Sequence, residues 1–149
     1  NFEDYETEAK FRKITKNYGL QRVVYLGHLD REKLFKTVSY FSVLAYPSYR
    51  DSFSFTVLES LAMGLRVVAY DIFALRYIYR ESRNVKFVPV GDYKQLALDT
   101  IESLKRPFEK DDATTRILNL YSSWEKVALE EYHHLSASLR CENSAVLDA

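Results

Sequence analysis

Four short apolar runs divide the chain, and they lack the alternation of apolar and polar residues that marks a half-exposed strand. They are rich in valine and tyrosine. Continuous runs of this kind are typical of strands covered on both faces, as in a parallel sheet. The four predicted strands are Val23–Leu26, Val43–Tyr46, Val67–Tyr70 and Lys86–Val90.

The segments between these runs have the apolar spacing of helices that bury one face. Asp30 and Asp92 are suitable N-terminal caps, and Gly64 is suited to end a helix in the left-handed conformation. The predicted helices span residues 3–18, 30–40, 53–63, 92–107 and 111–121, and a last helix opens at the capping box Ser122–Glu125. Strands and helices therefore alternate, which predicts an α/β fold: a Rossmann-like three-layer sandwich with a parallel sheet.

The domain organisation follows from the same pattern. We expect one domain over residues 1–138 and a flexible tail over residues 139–149. The chain opens with a helix, although folds of this type begin with a central strand. Either that strand lies upstream of residue 1 or another segment takes its place. We favour the upstream position, because a missing central strand would leave backbone groups unpaired.

The composition is that of a globular protein, since 47% of the residues are apolar and 28% are charged. No apolar run approaches the roughly 20 residues that span a bilayer, and the N-terminal segment is acidic where a signal peptide is basic. We therefore expect a soluble cytoplasmic protein, with peripheral attachment to the cytoplasmic membrane as the alternative. The 21 basic and 21 acidic residues form no basic cluster, which argues against a nucleic-acid partner.

Cysteine and histidine are too sparse for a disulfide or a metal site. Cys141 is the only cysteine in the sequence, so an internal disulfide is excluded. His133 and His134 are adjacent on a predicted helix and point about 100° apart, and His28 is distant in sequence. We expect no metal and no cofactor.

The loop after the second predicted strand carries the candidate chemistry. Ligands of an open parallel sheet bind beyond the carboxyl ends of its strands. The helix predicted to open at Phe53 offers free amide groups and the positive end of its dipole, which suits an anion. The hydroxyl groups of Ser52, Ser54 and Thr56 are candidate contacts to a phosphate.

Two carboxylates bracket this candidate anion site. Asp51 precedes the helix and Glu59 lies within it. A carboxylate repels a diphosphate but forms strong hydrogen bonds with hydroxyl groups, so a sugar and a ribose on either side of a diphosphate would fit. The alternatives stay open, since Asp51 is also a good helix cap and Glu59 is also an ordinary flank residue.

A set of short motifs occurs in a fixed order along the chain. The motifs are Val23–Leu29, Pro47–Ser48, Asp51, Phe53, Leu58–Gly64, Val67–Ala69, Val90–Ala97 and Ser123–Glu125. This order resembles the C-terminal domain of the retaining family 4 glycosyltransferases, which have the GT-B fold. The resemblance covers about residues 3–135.

The resemblance implies a role for each matching position. Asp51 and Glu59 would be the catalytic-site acids, holding hydroxyls of the donor sugar and of the ribose. The backbone of Ser54–Val57, with neighbouring Ser52 and Phe53, would hold the diphosphate of a UDP- or GDP-sugar, and His28–Leu29 would border the base. Phe55 and Thr56 lie within Ser54–Val57 and so belong to the expected diphosphate site. Transfer would proceed with retention and without a metal.

The resemblance also implies an N-terminal acceptor domain as partner, without which this hexosyltransferase-type domain is inactive. Several positions depart from the family pattern. Asp51 stands where a longer Glu is usual, Ser54 where Gly is common, and Arg66 where Pro is common. Ile72–Ala74 replace a stretch with two Gly.

These departures favour one alternative, a catalytically degenerate module that binds a nucleotide or a protein. A nucleotide-sugar epimerase of similar architecture is a weaker alternative. The aromatic residues also admit two interpretations, a sugar-stacking or membrane-facing surface and, preferred here, a place in the core. They are Tyr40, Phe41, Tyr46, Tyr49, Tyr77 and Tyr79.

Overall fold

The computed structural model describes residues 6–146, with side chains described for residues 9–137. The chain divides into two compact units, Asn1–Val38 and Ser39–Ala149. The first unit contains helices α1 (Glu6–Asn17) and α2 (Arg31–Val38). Within this unit the rings of Phe11 and Tyr25 lie 5.5 Å apart. Asp30 caps α2 as predicted, since its Oδ1 accepts the amide of Lys33 at 2.9 Å.

The prediction of a buried strand at Val23–Leu26 is wrong. Val24 is 72% exposed and Leu26 is 51% exposed. The strand pairs found among the described residues join other segments. A strand needs a neighbour that accepts and donates its backbone hydrogen bonds, whereas the amide of Val23 bonds instead to the carbonyl of Leu20 in a local turn.

The second unit alternates strands and helices. Its elements in chain order are β1 (Val43–Tyr46), α3 (Phe55–Ala62), β2 (Arg66–Tyr70), α4 (Phe73–Tyr79), β3 (Val85–Val88), α5 (Tyr93–Ser103), α6 (Asp112–Leu120) and α7 (Trp124–Val146). The strands form a parallel sheet in the order β1-β2-β3. Leu44 pairs with Val67, and Val68 pairs with Lys86. The predicted α/β fold with a parallel sheet is confirmed.

Each face of the sheet is covered by helices, which makes three layers. On one face Val67 and Ala69 of β2 pack with buried residues of α3 and α4, among them Leu61 and Tyr79. On the other face Val68 and Tyr70 pack with Leu96 of α5. Adjacent residues of β2 thus face opposite layers, and every residue of this strand is buried. The continuous apolar runs of the sequence are explained by this double coverage.

Helix α4 was not predicted. Its buried side chains are Leu75 and Tyr79, which lie one helical turn apart, and this short spacing was the available signal. Helix α7 is capped by Ser123, whose Oγ accepts the amide of Lys126 at 3.4 Å, rather than by Ser122.

The backbone of α7 continues to Val146, past the predicted boundary at residue 138. The flexibility of the tail and the single-domain boundary remain predictions. The predicted start of the first helix at residues 3–5, and the side chain of Cys141, lie outside the described residues.

Candidate functional site

The loop between β1 and α3 holds Asp51 by both of its carboxylate oxygens. The phenol of Tyr46, at the end of β1, donates a hydrogen bond of 2.6 Å to Oδ2. The amide of Phe53 donates one of 3.2 Å to Oδ1. The bond to the amide two residues later is the one that makes aspartate favourable in turns. The carboxylate is therefore oriented, half-buried, at the carboxyl end of a parallel strand.

Helix α3 begins at Phe55, two residues later than predicted, because Ser54 is its cap. The Oγ of Ser54 accepts the amide of Val57 at 3.3 Å, and the carbonyl of Phe53 accepts the amide of Phe55 at 3.0 Å. Two of the amides expected to face a diphosphate thus have acceptors within the protein. Ser54 and Val57 are buried, being 2% and 0% exposed.

The exposed residues of this turn are Ser52, Phe55 and Thr56. Phe53 is half-buried, and its ring lies 4.9 Å from that of Phe55 and 4.7 Å from that of Tyr121. The ring of Phe53 therefore anchors the loop to the C-terminal end of α6 through an aromatic cluster. The hydroxyl groups of Ser52 and Thr56 are the exposed polar side chains that this stretch offers to a ligand.

Glu59 lies in the middle of α3, between the buried residues Leu58 and Ser60. Its side chain is half-buried and has an interaction partner within the protein. Its predicted contact to a ribose remains a prediction.

A cavity of about 470 Å³ opens beside Asp51. One wall is the loop after β1, and the other is the start of α4. The lining residues are Tyr49, Arg50, Asp51, Ser52, Ile72, Phe73, Ala74, Tyr77 and Ile78. The structure thus joins Asp51 and Ser52 with Ile72–Ala74, the stretch that follows β2. Glu59 lies outside this lining.

His28 and Leu29 belong to the first unit, in the turn before α2, with His28 exposed and Leu29 half-buried. The neighbouring Asp30 has a lowered pKa, because Lys33 bonds its carboxylate through both the side chain and the backbone amide. The predicted role of His28 and Leu29 beside a base remains a prediction.

Neither a metal cluster nor a membrane-spanning helix is found among the described residues. That part of the chain contains no group of three or more His, Cys, Asp or Glu side chains able to hold a metal ion. Nor does any of its helices combine the length and apolarity needed to cross a bilayer. The absence of a catalytic metal stays a prediction.

Comparisons with known proteins identify the family of this chain. The family described as glycosyl transferases group 1 matches residues 3–106. Sucrose-phosphate synthase from Thermosynechococcus elongatus has a similar structure, with a TM-score of 0.68 and 24% sequence identity. The similar region covers 89% of this chain and 35% of that chain, so this chain spans about a third of the synthase. No curated protein matches the sequence.

The structural likeness shows that the fold is the Rossmann-like α/β fold of GT-B glycosyltransferases. The family match covers well over half of the sequence, from the first helix to just beyond α5. The chain belongs to the glycosyl transferases group 1 family.

Proposed function

We propose that this chain is the donor-binding domain of a retaining glycosyltransferase that transfers a sugar from a UDP- or GDP-sugar. An N-terminal acceptor domain would complete the active site. One observation carries the proposal: in a chain of this family, Asp51 is oriented at the carboxyl end of β1, between the opening of α3 and a cavity of about 470 Å³. This is where ligands of parallel sheets bind.

In this proposal Asp51 accepts hydrogen bonds from hydroxyl groups of the donor sugar. Each of its oxygens already accepts one bond and keeps further acceptor capacity, because an ionised carboxylate has about four acceptor sites. The fixed orientation lowers the entropy cost of binding a hydroxyl group.

The diphosphate would lie at the start of α3, on the hydroxyl groups of Ser52 and Thr56 and the positive end of the helix. The intramolecular bonds of the Phe55 and Val57 amides weaken their contribution. Stabilising the negative charge that develops on the departing diphosphate is the main electrostatic task of such a reaction. Glu59, as the second acid, would bind the ribose.

The test is calorimetry of the full chain with UDP, GDP and ADP, repeated with Glu59→Ala and Asp51→Asn. One nucleotide should bind, and Glu59→Ala should weaken it by about 1–3 kcal/mol, which is the cost of a lost hydrogen bond at a desolvated group. Glu131→Ala, at an exposed position of α7, is the matched control and should leave the affinity unchanged. If no nucleotide binds, the proposal fails.

A second candidate function is a degenerate module that binds without turnover. It is favoured by Ser54. The buried hydroxyl of this residue accepts the hydrogen bond of the Val57 amide, in the turn where the diphosphate is expected. The substitution Ser54→Gly removes this internal acceptor. Under the donor-binding proposal Ser54→Gly should strengthen nucleotide binding, whereas a degenerate module that binds proteins should show no nucleotide binding in either form.

A further inference from the structure

Helix α1 gathers basic side chains on one face. Its cations are Lys10, Arg12, Lys13 and Lys16, which form no continuous run in the sequence. Because successive residues of a helix are about 100° apart, all four lie within an arc of about 160° around the axis. The four side chains are exposed. Folding therefore creates a basic face, although the 21 basic and 21 acidic residues balance over the whole sequence.

The packing contact of α1 lies on the side opposite to this basic face. Phe11 is half-buried there, and its ring lies 5.5 Å from that of Tyr25 in the same unit. The helix ends at a defined turn, in which Gly19 has a φ of 63° and the amide of Leu20 bonds to the carbonyl of Thr15 at 2.8 Å. The helix is thus held by its apolar side, and the basic face is left to solvent.

The charge of the basic face is only partly compensated. Lys10 and Arg12 have interaction partners within the protein. Among the described residues Lys13 and Lys16 have no ion pair, and no carboxylate stands three or four positions from either of them in the sequence. Like charges at this spacing destabilise a helix. A row of like charges that opposes its own helix is explained if an anionic partner neutralises it.

Positive charge is concentrated in this part of the chain. Residues 9–38 include eight basic and two acidic residues, whereas residues 39–149 include 13 basic and 15 acidic residues. Four further acidic residues lie at positions 1–8, so the basic stretch begins after them. Of the two acids within 9–38, Asp30 is paired with Lys33 at 2.7 Å. The excess of positive charge therefore belongs largely to α1 and the turn after it.

We infer that the basic face of α1 is an electrostatic contact surface for a membrane of anionic phospholipids. Lysine and arginine side chains are attracted to such a surface within about one Debye length, roughly 8 Å at physiological ionic strength. The helix would lie parallel to the membrane, with its ammonium groups among the headgroups and without entering the hydrocarbon core. The inference goes beyond the proposed function and does not rest on it, because Asp51 and the cavity beside it belong to the second unit.

The chemistry of this face favours a lipid surface over other polyanions. Three of its four cations are lysines, which act as hydrated point charges rather than as bidentate forks. Proteins that bind single-stranded nucleic acid combine cations with aromatic rings on which bases stack, whereas Phe11 lies on the opposite side of α1. Specific acidic peptides are commonly held by clusters of arginine. A row of lysines on a convex helix suits the diffuse negative charge of phospholipid headgroups.

The experiment is sedimentation of the full chain with lipid vesicles. Vesicles of phosphatidylcholine with about 30% phosphatidylserine should bind the chain at about 0.05 M NaCl, and about 0.5 M NaCl should abolish this binding. Vesicles of phosphatidylcholine alone should not bind it. The double variant Lys13→Gln/Lys16→Gln should weaken binding at least about tenfold, since each cation near an anionic membrane contributes about fivefold. Glutamine has a helix propensity close to that of lysine, and circular dichroism checks that the fold is kept.

The matched control is Lys94→Gln/Lys105→Gln, which removes the same charge from exposed positions within and just after α5. This variant should bind within about twofold of the original chain, and Lys13→Arg/Lys16→Arg should keep full binding. Failure to bind the anionic vesicles overturns the inference. An equal loss in the two glutamine variants also overturns it, because net charge rather than this face would then attract the chain. Binding to poly(uridylic acid) without binding to the vesicles would mean that the face serves a nucleic acid, and the inference would be wrong.

Discussion

The phenol of Tyr46, the last residue of β1, donates a hydrogen bond of 2.6 Å to the carboxylate of Asp51 in the following loop. Tyr46 is fixed by its place in the sheet, where it pairs with Ala69 of β2. The hydrogen bond therefore fixes the position of Asp51 relative to the sheet. The short side chain of aspartate also reaches the amide of Phe53, a local bond that a longer glutamate is less suited to make.

The substitution Tyr46→Phe removes this bond while it keeps the ring. The free energy of unfolding should fall by about 1–2 kcal/mol, because the bond is charge-assisted and half-buried. The affinity for the nucleotide sugar should also fall, since Asp51 loses one of its two orienting donors. Urea unfolding and calorimetry measure the two effects. Tyr40→Phe, at a position 79% exposed, is the control and should change neither quantity.

Substitutions of Asp51 separate charge from geometry. Asp51→Asn keeps an acceptor for the amide of Phe53 and should leave unfolding within about 1 kcal/mol of the original, yet lose donor affinity. Asp51→Glu has the length usual in the family but weakens the local bond, so it should lower stability by about 1 kcal/mol. If Asp51→Glu is instead as stable as the original chain, the loop is not organised by the aspartate.

Much of the fold was readable from the sequence, since the runs at 43–46 and 67–70 are strands of a parallel sheet, as predicted. Because both faces of these strands are covered, their residues are apolar without interruption, and the sequence shows this pattern directly. The run at Val23–Leu26 has the same composition but forms no strand, because composition does not specify a pairing partner. Strand formation is decided by tertiary contacts that periodicity cannot reveal.

The candidate site was predictable in part. The positions of Asp51 and Ser54 relative to β1 and α3 followed from the order of elements, but their internal hydrogen bonds depend on side-chain geometry. Helix α4 and the pair Phe73 and Tyr77 were missed as a wall of the cavity, because the segment is short and mostly exposed on its outer face. Of the six aromatic residues placed in the core from the sequence, Tyr79 is buried and Tyr46 is half-buried. The prediction is wrong for the other four, which are exposed: Tyr40, Phe41, Tyr49 and Tyr77.

Arg66 stands where the family commonly has proline, and the structure explains the arginine. Its guanidinium donates hydrogen bonds to the carbonyl of Pro107 at 3.0 Å and to that of Arg83 at 3.1 Å. Arg66 is 8% exposed, so it ties the chain segments before β3 and after α5 to the start of β2. A proline at this position could make neither bond.

The buried phenol of Tyr79 predicts a dependence of stability on alkaline pH. Burial raises the pKa of Tyr79 above its usual value, so the folded protein retains a proton that the unfolded chain releases near pH 10. This contribution to stability is complete below about pH 10 and is lost as the pH rises beyond it. Tyr79→Phe should cost about 1 kcal/mol at neutral pH through the bond to Ser54.

Urea unfolding of both proteins between pH 7 and about pH 11.5 measures this effect. The stability of the original chain should decline more steeply than that of Tyr79→Phe above about pH 10, so the difference between them should shrink. Parallel declines would show that Tyr79 does not keep its proton in the folded state. Tyr93→Phe, which removes an exposed phenol hydroxyl from α5 on the other face of the sheet, is the control and should decline as the original chain does.

Asn84 fixes the segment between α5 and α6. Its side-chain amide donates to the carbonyl of Glu109 at 2.7 Å and to Asp111 at 2.9 Å, and its oxygen accepts the amide of Glu109 at 2.9 Å. Asn84 is 1% exposed. Asn84→Ala should therefore lower the free energy of unfolding by about 2–4 kcal/mol, because it leaves several buried groups without partners. Asn119→Ala, at an exposed position, should cost little.

The last prediction concerns Lys86 of β3, which joins the sheet to α5. Its ammonium lies 2.9 Å from Oδ1 of Asp99 and 2.9 Å from Oε2 of Glu102. The side chain of Asp99 is 6% exposed, and its Oδ1 also accepts the side-chain amide of Gln95 at 2.7 Å. Hydrogen bonds to Asp99 and Glu102 raise the pKa of Lys86.

Lys86→Met keeps most of the side-chain volume and removes the charge. It should lower the free energy of unfolding by about 1–3 kcal/mol at pH 7, less than for a fully buried pair, because Lys86 is 45% exposed. Hydrogen bonding to Lys86 lowers the pKa of Glu102. The ion pair of Lys86 with Glu102 therefore stabilises the folded chain above about pH 4.3, and this stabilisation is lost as the pH falls and Glu102 is protonated. The difference in unfolding free energy between the original chain and Lys86→Met should therefore be smaller at pH 3 than at pH 7. The exposed control Lys94→Met should match the original chain at both pH values. An undiminished difference at pH 3 would mean that Lys86 acts through packing of its aliphatic stem rather than through its charge.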